Sequence, residues 1–329
     1  MTKKKRILSG MRPTGPLHLG NLHGALANWV EMQETFDCFF FIADWHALTS
    51  DYEDPSAITG YTRDVLLDWL SVGLSPEKST LFVQSEIREH AELYLILSMI
   101  TPVPWLERNP TYKDQILQLS NKDLSTFGFL GYPVLQAADI IMYKAYGVPV
   151  GVDQVPHVEI TREIARRFNH FYGDVFPEPE SILTKTPKIL GVDRRKMSKS
   201  YDNAIFISED PDEIEAKVAK MLTDPQRARR SDPGNPDVCN VFEFHKLYSD
   251  ESVIENVNKT CRTAEIGCVE CKQTMAQFLI KALEPIRNKR KYYVERPQLV
   301  DDIIADGCDK ARKVARQTMG EVREAISIK

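Results

Sequence analysis

Through the first two hundred residues, short apolar runs alternate with helical patterns, and then the alternation stops. Arg6-Ile7-Leu8-Ser9-Gly10 reads as a strand, Arg12-Pro13-Thr14-Gly15-Pro16 as a turn, and residues 18–35 as a helix. Residues 38–43 form a continuous apolar strand, 55–71 an amphipathic helix and 80–84 a further strand, with helices at 89–99, 132–146 and 154–168 after them. Strands that lack polar alternation are buried on both faces, which calls for a parallel sheet with helices on either side. From residue 208 onward the strand signals vanish, and helical patterns at 211–222, 268–291 and 298–328 take over. The expectation is an α/β chain with a parallel-sheet domain over 1–205 and an all-helical domain over 206–329. The last helix is free to pack back on the first domain. Proline-containing stretches at 177–187 and 223–236 read as structured connectors.

A length of 329 residues suits two domains. With 43% hydrophobic and 27% charged residues, disorder, collagen and coiled coil are excluded. No apolar run approaches the roughly 18 residues that cross a bilayer, and the four residues after Lys3-Lys4-Lys5-Arg6 are too few for a signal-peptide core. A soluble, cytoplasmic protein with no membrane partner is expected. The net charge of −5 argues against a generic nucleic-acid binder, and neither part hides a basic half: 201–329 carries 21 basic and 23 acidic residues. Any RNA must therefore be held by local patches.

The segment Leu8-Ser9-Gly10-Met11-Arg12-Pro13-Thr14-Gly15-Pro16-Leu17-His18-Leu19-Gly20-Asn21 places strand, glycine turn and helix start in sequence. Backbone N–H groups at such a start favour an anion. Gly20 has no Cβ to hold off a ligand ring, and His18 and Asn21 lie one helical turn apart, able to face one phosphate chain. A plain strand–helix turn with a surface histidine would look the same. The second piece, Lys196-Met197-Ser198-Lys199-Ser200, follows the last strand-like segment, Lys188-Ile189-Leu190. Two lysines on a serine-flanked loop can neutralise a leaving pyrophosphate. A given pentapeptide arises by accident in a chain of this size on the order of once in ten thousand sequences.

His-Leu-Gly-Asn after the first strand with Lys-Met-Ser-Lys-Ser after the last resembles the signature pair of class I aminoacyl-tRNA synthetases. Within that class the chain resembles the bacterial tryptophanyl-tRNA synthetases over nearly its whole length, through residues 11–29, 43–49, 132–140, 151–157 and 196–200. The resemblance implies a Rossmann-like catalytic domain and a helical anticodon-binding domain. It also implies a homodimer, ATP with Mg²⁺ on its phosphates, and L-tryptophan and tRNA(Trp) as partners. Tryptophan's carboxylate would attack the α-phosphorus, and the tRNA 3′-terminal hydroxyl would then take the tryptophanyl group. His18, Asn21, Lys196 and Lys199 would be catalytic, with Arg12, Gly20, Lys113, Met197 and Ser198 also at ATP. Leu8, His46, Gln136, Asp139 and Gln154 would line the tryptophan pocket, with Asp153 beside it. Two positions depart from the family pattern: Val152 stands where relatives carry an acid and Arg12 where many carry glutamine.

Asp139 also fits on physical grounds. It sits in the apolar stretch 134–143, where a carboxylate is costly without a donor. An indole N–H supplies one, and phenylalanine would leave the carboxylate unpaired. A nearby lysine or arginine is the other reading. Rival functions are a tyrosine-specific or other class I nucleotidyl-transfer enzyme, and an idle paralogue that only binds RNA.

Of six cysteines, Cys239, Cys261, Cys268 and Cys271 crowd into 33 positions, while Cys38 and Cys308 stand apart as core thiols. Four buried thiols, a tetrahedral zinc site and an iron–sulfur centre all fit the spacing. A subgroup of tryptophanyl-tRNA synthetases with a nearly identical array holds a [4Fe–4S] cluster, so the resemblance implies that cluster ahead of zinc. From 271 to 296, seven basic residues (Lys272, Lys281, Arg287, Lys289, Arg290, Lys291, Arg296) face two acidic ones, with Tyr292 and Tyr293 interleaved. That is a candidate RNA patch, and Arg227, Arg229 and Arg230 form a smaller one.

Overall fold

The computed structural model describes residues 4–118, 123–184 and 189–328. Strands β1 (Arg6–Met11), β2 (Asp37–Ile42), β3 (Ser79–Val83), β4 (Gly147–Val150) and β5 (Glu180–Leu183) form a wholly parallel sheet in the order β3-β2-β1-β4-β5. Arg6 lies opposite Asp37 and Met11 opposite Ile42, and Phe40 continues the row to Leu81. Ile7, Phe40, Ile42 and Leu81 belong to one apolar core, while Leu8, Phe39, Phe41 and Phe82 belong to another. Successive strand residues point to opposite faces, so a sheet with a core on each side needs unbroken apolar strands.

Between β1 and β2 run α1 (Leu19–Asn21), a π-helical turn at Leu22–Leu26 and α2 (Ala27–Met32). Helices α3 (Asp44–Asp51) and α4 (Ile58–Val72) lead to β3. Helices α5 (Glu89–Ile100), α6 (Val103–Glu107), α7 (Pro110–Gln118) and α8 (Phe127–Met142) lie between β3 and β4, and α9 (Val155–Tyr172) joins β4 to β5. Helix α4 stops at Gly73, whose φ of +114° lies in the left-handed region and whose N–H caps the Trp69 carbonyl.

The remainder is helical: α10 (Pro211–Ala219), α11 (Asn240–Tyr248), α12 (Glu251–Arg262), α13 (Cys268–Val294) and α14 (Pro297–Ala325). The core on the Ile7 face runs on without a break through Ile214, Val241, Phe244, Met275, Leu279 and Leu283 of α10, α11 and α13. Helix α14 returns to cover β3, the exposed edge of the sheet. It approaches so closely that a Cβ at Gly307 would strike the Leu81 carbonyl. Covering an edge strand removes a ready template for aggregation. Cys38 and Cys308 are buried in the two cores.

Three sequence expectations change. β4 was not anticipated, because four residues containing Gly147 and Pro149 carry little strand signal. β5 lies within the stretch 177–187 read as a connector, whose last part falls outside the described residues. The strand expected at 188–190 is not part of the sheet: Lys188 lies outside the described residues, and Leu190 makes only an isolated antiparallel bridge with Lys196.

Candidate active site

β1 and β4 are neighbours, but the chain leaves them toward opposite sides of the sheet, β1 to β2 and β4 to β5. Such a reversal opens a crevice at the carboxyl ends of the strands. A cavity of about 870 Å³ lies there. Leu8–Arg12 of the β1 end and Val148–Gly151 of the β4 end form its floor, and His18, Gly20, Asn21, Lys196 and Met197 close one side. His46, Tyr132, Gln136, Asp139, Asp153, Gln154 and His157 line the rest.

Backbone pairing fastens the two signature segments together. The Leu19 N–H donates to the Ile205 carbonyl and the Ile207 N–H to the Leu17 carbonyl, each at 3.0 Å, with His18 bridged to Phe206. The lysine loop is thereby hung on the turn that opens α1. Asn21 Oδ1 accepts the His18 N–H at 3.0 Å, so half of its amide secures the turn and only the Nδ2 end is left for a ligand. A Cβ at Gly20 would meet the His18 ring at 2.8 Å, so the first claimant on the space that glycine leaves is His18 itself. His18 Nδ1 is buried without a protein partner. Burial, aided by Lys199 and Lys196, drives its imidazole pKa down to about 4, so it faces the cavity neutral at pH 7.

Lys199 folds its Nζ onto Thr14 Oγ1 at 3.3 Å and the Gly15 carbonyl at 3.2 Å. Burial, then the nearby Arg12, lowers its pKa to about 8. Met197 lines the cavity and is also packed in the core, 4% exposed. Ser198 donates its N–H to Asn203 Oδ1 and stands off the wall. Lys113 is exposed on α7, also off the wall, and so is Val152, 75% exposed, whose departure from the family pattern leaves the cavity lining unchanged.

At the other end, Asp139 of α8 is fully buried. Its protein donors are neither lysine nor arginine, the alternative that the sequence left open. Its carboxylate accepts from His46 Nε2 at 2.8 Å, His90 Nδ1 at 2.5 Å and Gln84 Nε2 at 2.8 and 2.9 Å. Burial alone would raise its pKa, but the His46 and His90 donors outweigh it and keep the group ionised. Tyr132 and His157 were also missed as site residues. The Tyr132 hydroxyl meets His157 Nε2 at 3.3 Å, and burial lowers the His157 pKa to about 4. Nothing in the spacing of His90 or Gln84 marks them, since α5 and the turn after β3 bring them to Asp139 only in three dimensions.

The four clustered cysteines converge where α11, α12 and α13 meet. Arg227 Nη1 lies 3.8 Å from the sulfurs of both Cys261 and Cys268, and a Cβ at Gly234 would meet the Cys261 sulfur at 2.7 Å. Burial, then Cys239, Cys261 and Cys268, pushes the Cys271 thiol up to about 12. Among the described residues, no group of three or more His, Cys, Asp or Glu side chains is gathered as a single metal ion would need. Arg227 and Arg230 are not free for RNA. They donate to the carbonyls of Ile266, Ala264 and Glu265 and wrap the cysteine loop.

Residues 1–284 match the family described as class I tRNA synthetases (W and Y). The chain belongs to this family. It is 55% identical to the tryptophan–tRNA ligase of Thermotoga maritima, over 98% of this chain and 99% of that one. To the Aquifex aeolicus tryptophan–tRNA ligase it is 45% identical, over 98% and 100%. A crystal structure of tryptophanyl-tRNA synthetase from Campylobacter jejuni, complexed with ADP and tryptophan, superposes with a TM-score of 0.91. Identity there is 34%, over 98% of this chain and 100% of that one. The family match runs from before β1 into α13, so in this synthetase it spans every wall of the cavity.

Proposed function

We propose that this synthetase is a tryptophan–tRNA ligase whose cavity binds ATP between the two signature segments and L-tryptophan against Asp139. The observation that carries the reading is the pairing of opposite chemistries in one cavity. A neutral histidine with Lys196 lines one end, with Lys199 beside them on Thr14 and Gly15, and a buried, ionised carboxylate lines the other. Tryptophan's carboxylate attacks the α-phosphorus in line, and pyrophosphate leaves. Such a transfer needs positioning and charge neutralisation rather than a protein nucleophile. His18 and the Nδ2 of Asn21 orient the phosphates, while Lys196 and Lys199 take up charge on the pyrophosphate as it departs. Mg²⁺ enters with ATP as part of the substrate. Arg12 stands beside the transfer, and Gly20 keeps the turn clear. Met197 and Ser198 shape the lysine loop, and Lys113 reaches ATP only if α7 moves toward the cavity. Leu8 and Gln136 flank the indole, and His46 and Gln154 meet it from the opposite wall. The tRNA(Trp) 3′-terminal hydroxyl then accepts the tryptophanyl group.

Residues 1–205 serve as the catalytic unit and 206–329 as the anticodon-reading unit, with α14 tying the second to the edge of the first. A homodimer in the cytoplasm completes the reading. Its support is an apolar strip along α5 and α6, where Leu95, Met99 and Val103 are 56, 73 and 50% exposed. No described helix is long and apolar enough to cross a membrane.

Cys239, Cys261, Cys268 and Cys271 are assigned to a [4Fe–4S] cluster. Support comes from the proximity of four soft donors: Cys239, Cys261 and Cys268 lie close enough to Cys271 to add to the effect of burial in raising its thiol pKa. A tetrahedral zinc ion is the second reading of the same four thiols. Thiols with raised pKa values ligate once a cation draws off their protons. When bound, the cluster would brace the junction of α11, α12 and α13.

ATP–pyrophosphate exchange tests the central reading. Tryptophan is expected to drive it and tyrosine is not; exchange with tyrosine, or with neither, would reverse the assignment.

A further inference from the structure

A carboxylate has about four lone-pair positions on its two oxygens, and Asp139 has all of them filled by side-chain donors. Gln84 Nε2 bridges both oxygens, His90 Nδ1 takes Oδ1 and His46 Nε2 takes Oδ2. The donors differ in where they stand. His46 lines the cavity, whereas Gln84 and His90 are 0% exposed and lie behind the carboxylate, off the wall. A ligand donor entering the cavity can therefore replace only the bond from His46.

His90 is itself fixed from the far side. Its Nε2 lies 2.7 Å from the hydroxyl of the buried Tyr143, and Phe41, Phe82 and Tyr143 hold its ring between them. An ionised carboxylate only accepts, so His90 Nδ1 carries a proton. The Tyr143 phenol, kept protonated by its burial, is the hydrogen-bond partner of Nε2. The chain of partners runs from the Tyr143 hydroxyl to His90 Nε2, and from His90 Nδ1–H to Asp139 Oδ1. A ring locked at both nitrogens holds its carboxylate as a second-layer carboxylate holds a metal-binding histidine.

We propose that His90, backed by Tyr143, is the positioning residue for recognition of the indole N–H. It pins Oδ1, so that Oδ2 stays turned to the cavity, and the incoming N–H there takes the place of His46. The proposal rests on the reading of Asp139 as the acceptor for that N–H.

The test compares tryptophan with β-(1-benzothiophen-3-yl)alanine, which carries sulfur in place of the N–H, by kcat/KM in ATP–pyrophosphate exchange. His90→Leu is expected to lower the preference for tryptophan at least about ten-fold, because the acceptor loses its fixed donor while the sulfur analogue never used it. His90→Asn, whose amide N–H reaches the place of Nδ1, is expected to keep the preference within about three-fold, and Tyr143→Phe to lower it about two- to five-fold. A His90→Leu enzyme that loses kcat/KM equally for both substrates overturns the proposal, since a merely structural residue does that. Should His90→Leu not fold, an unchanged preference in Tyr143→Phe overturns it instead. A wild-type enzyme without preference, or an Asp139→Asn variant that keeps it, removes the reading of Asp139 and the proposal with it. Loss of preference in Asp139→Asn but not in His90→Leu leaves that reading standing and defeats the proposal alone.

Discussion

Asp68 sits where the helical part of the chain reaches back to the nucleotide end of the cavity. Its carboxylate, on α4, is 1% exposed; Oδ1 accepts from Arg290 Nε at 2.9 Å and Oδ2 from the Leu17 N–H at 3.4 Å. Arg290 comes from α13 and also reaches Asp64 at 2.7 Å. Burial lifts the Asp68 carboxyl to about 6, and Arg290 is the largest influence holding it down. Replacing Arg290 with Met keeps most of the stem and deletes the charge. Removing one partner of a buried pair costs about 3–5 kcal/mol. Arg290 is 22% exposed and Asp64 40%, so water offsets part of the loss and about 3 kcal/mol is expected near pH 8. A carboxyl whose folded pKa exceeds its unfolded value loses stability as pH rises from the lower to the higher, here from 3.8 to about 6. Without Arg290 the folded value climbs further, so the deficit grows between pH 6 and 8. At pH 5 it shrinks, because Asp68 takes up a proton in both proteins. Urea unfolding of the wild type and Arg290→Met at the two pH values measures it. A deficit equal at both, or below about 1 kcal/mol at pH 8, refutes the reasoning. Adding Asp68→Asn should recover most of the loss at pH 8. Because the Leu17 N–H adjoins His18, the KM for ATP should rise while that for tryptophan holds.

Two further outcomes follow from the site. With its pKa near 8, Lys199 loses charge as pH rises through that value, so kcat/KM for ATP should fall on an alkaline limb near pH 8. In Lys199→Arg the limb should leave the measurable range, and Lys199→Ala should slow adenylate formation with tryptophan affinity nearly intact; unchanged exchange kinetics in the alanine variant would sink the role. Replacing Cys271 with Ser should abolish the broad visible absorption expected of anaerobically purified protein and impair tRNA charging more than tryptophan activation. Equal loss of both activities would leave the centre purely structural, and undiminished charging would remove it from function.

The sheet was legible where strands are long and apolar, as in 38–43, because burial on both faces writes itself into composition. β4 and β5 were not, since four residues each cannot outweigh Pro149 or a proline-rich neighbourhood. At the site, His18, Asn21, Lys196 and Lys199 stand in short segments whose spacing is itself the signal. Gln84, His90, Tyr132 and His157 come from four different elements and meet only when the sheet is assembled. Asp139 shows the limit most clearly. Its apolar surroundings correctly said that it needs a donor, but a sequence cannot say how many donors the fold has already supplied.

The same limit governs charge. Counting residues 271–296 gives seven basic side chains, yet the fold spends several of them inside the protein. Arg290 is committed to Asp64 and Asp68, Lys272 caps the Ala219 carbonyl and Arg287 bonds the Ile280 carbonyl. Arg296 stacks on Tyr292 at 4.0 Å, which leaves its charge near the surface beside an aromatic face. Lys281, Lys289 and Lys291 remain exposed. A polyanion held by so few cations on a chain of net charge −5 gains little from long-range attraction. An RNA on this candidate patch would take its register from shape and stacking along α13, which calls for a helix held at both ends. Cys268 and Cys271 stand at its N-terminal end and the Arg290–Asp68 pair near its C-terminal end, and Asp68 also reaches the Leu17 N–H in the turn that holds His18.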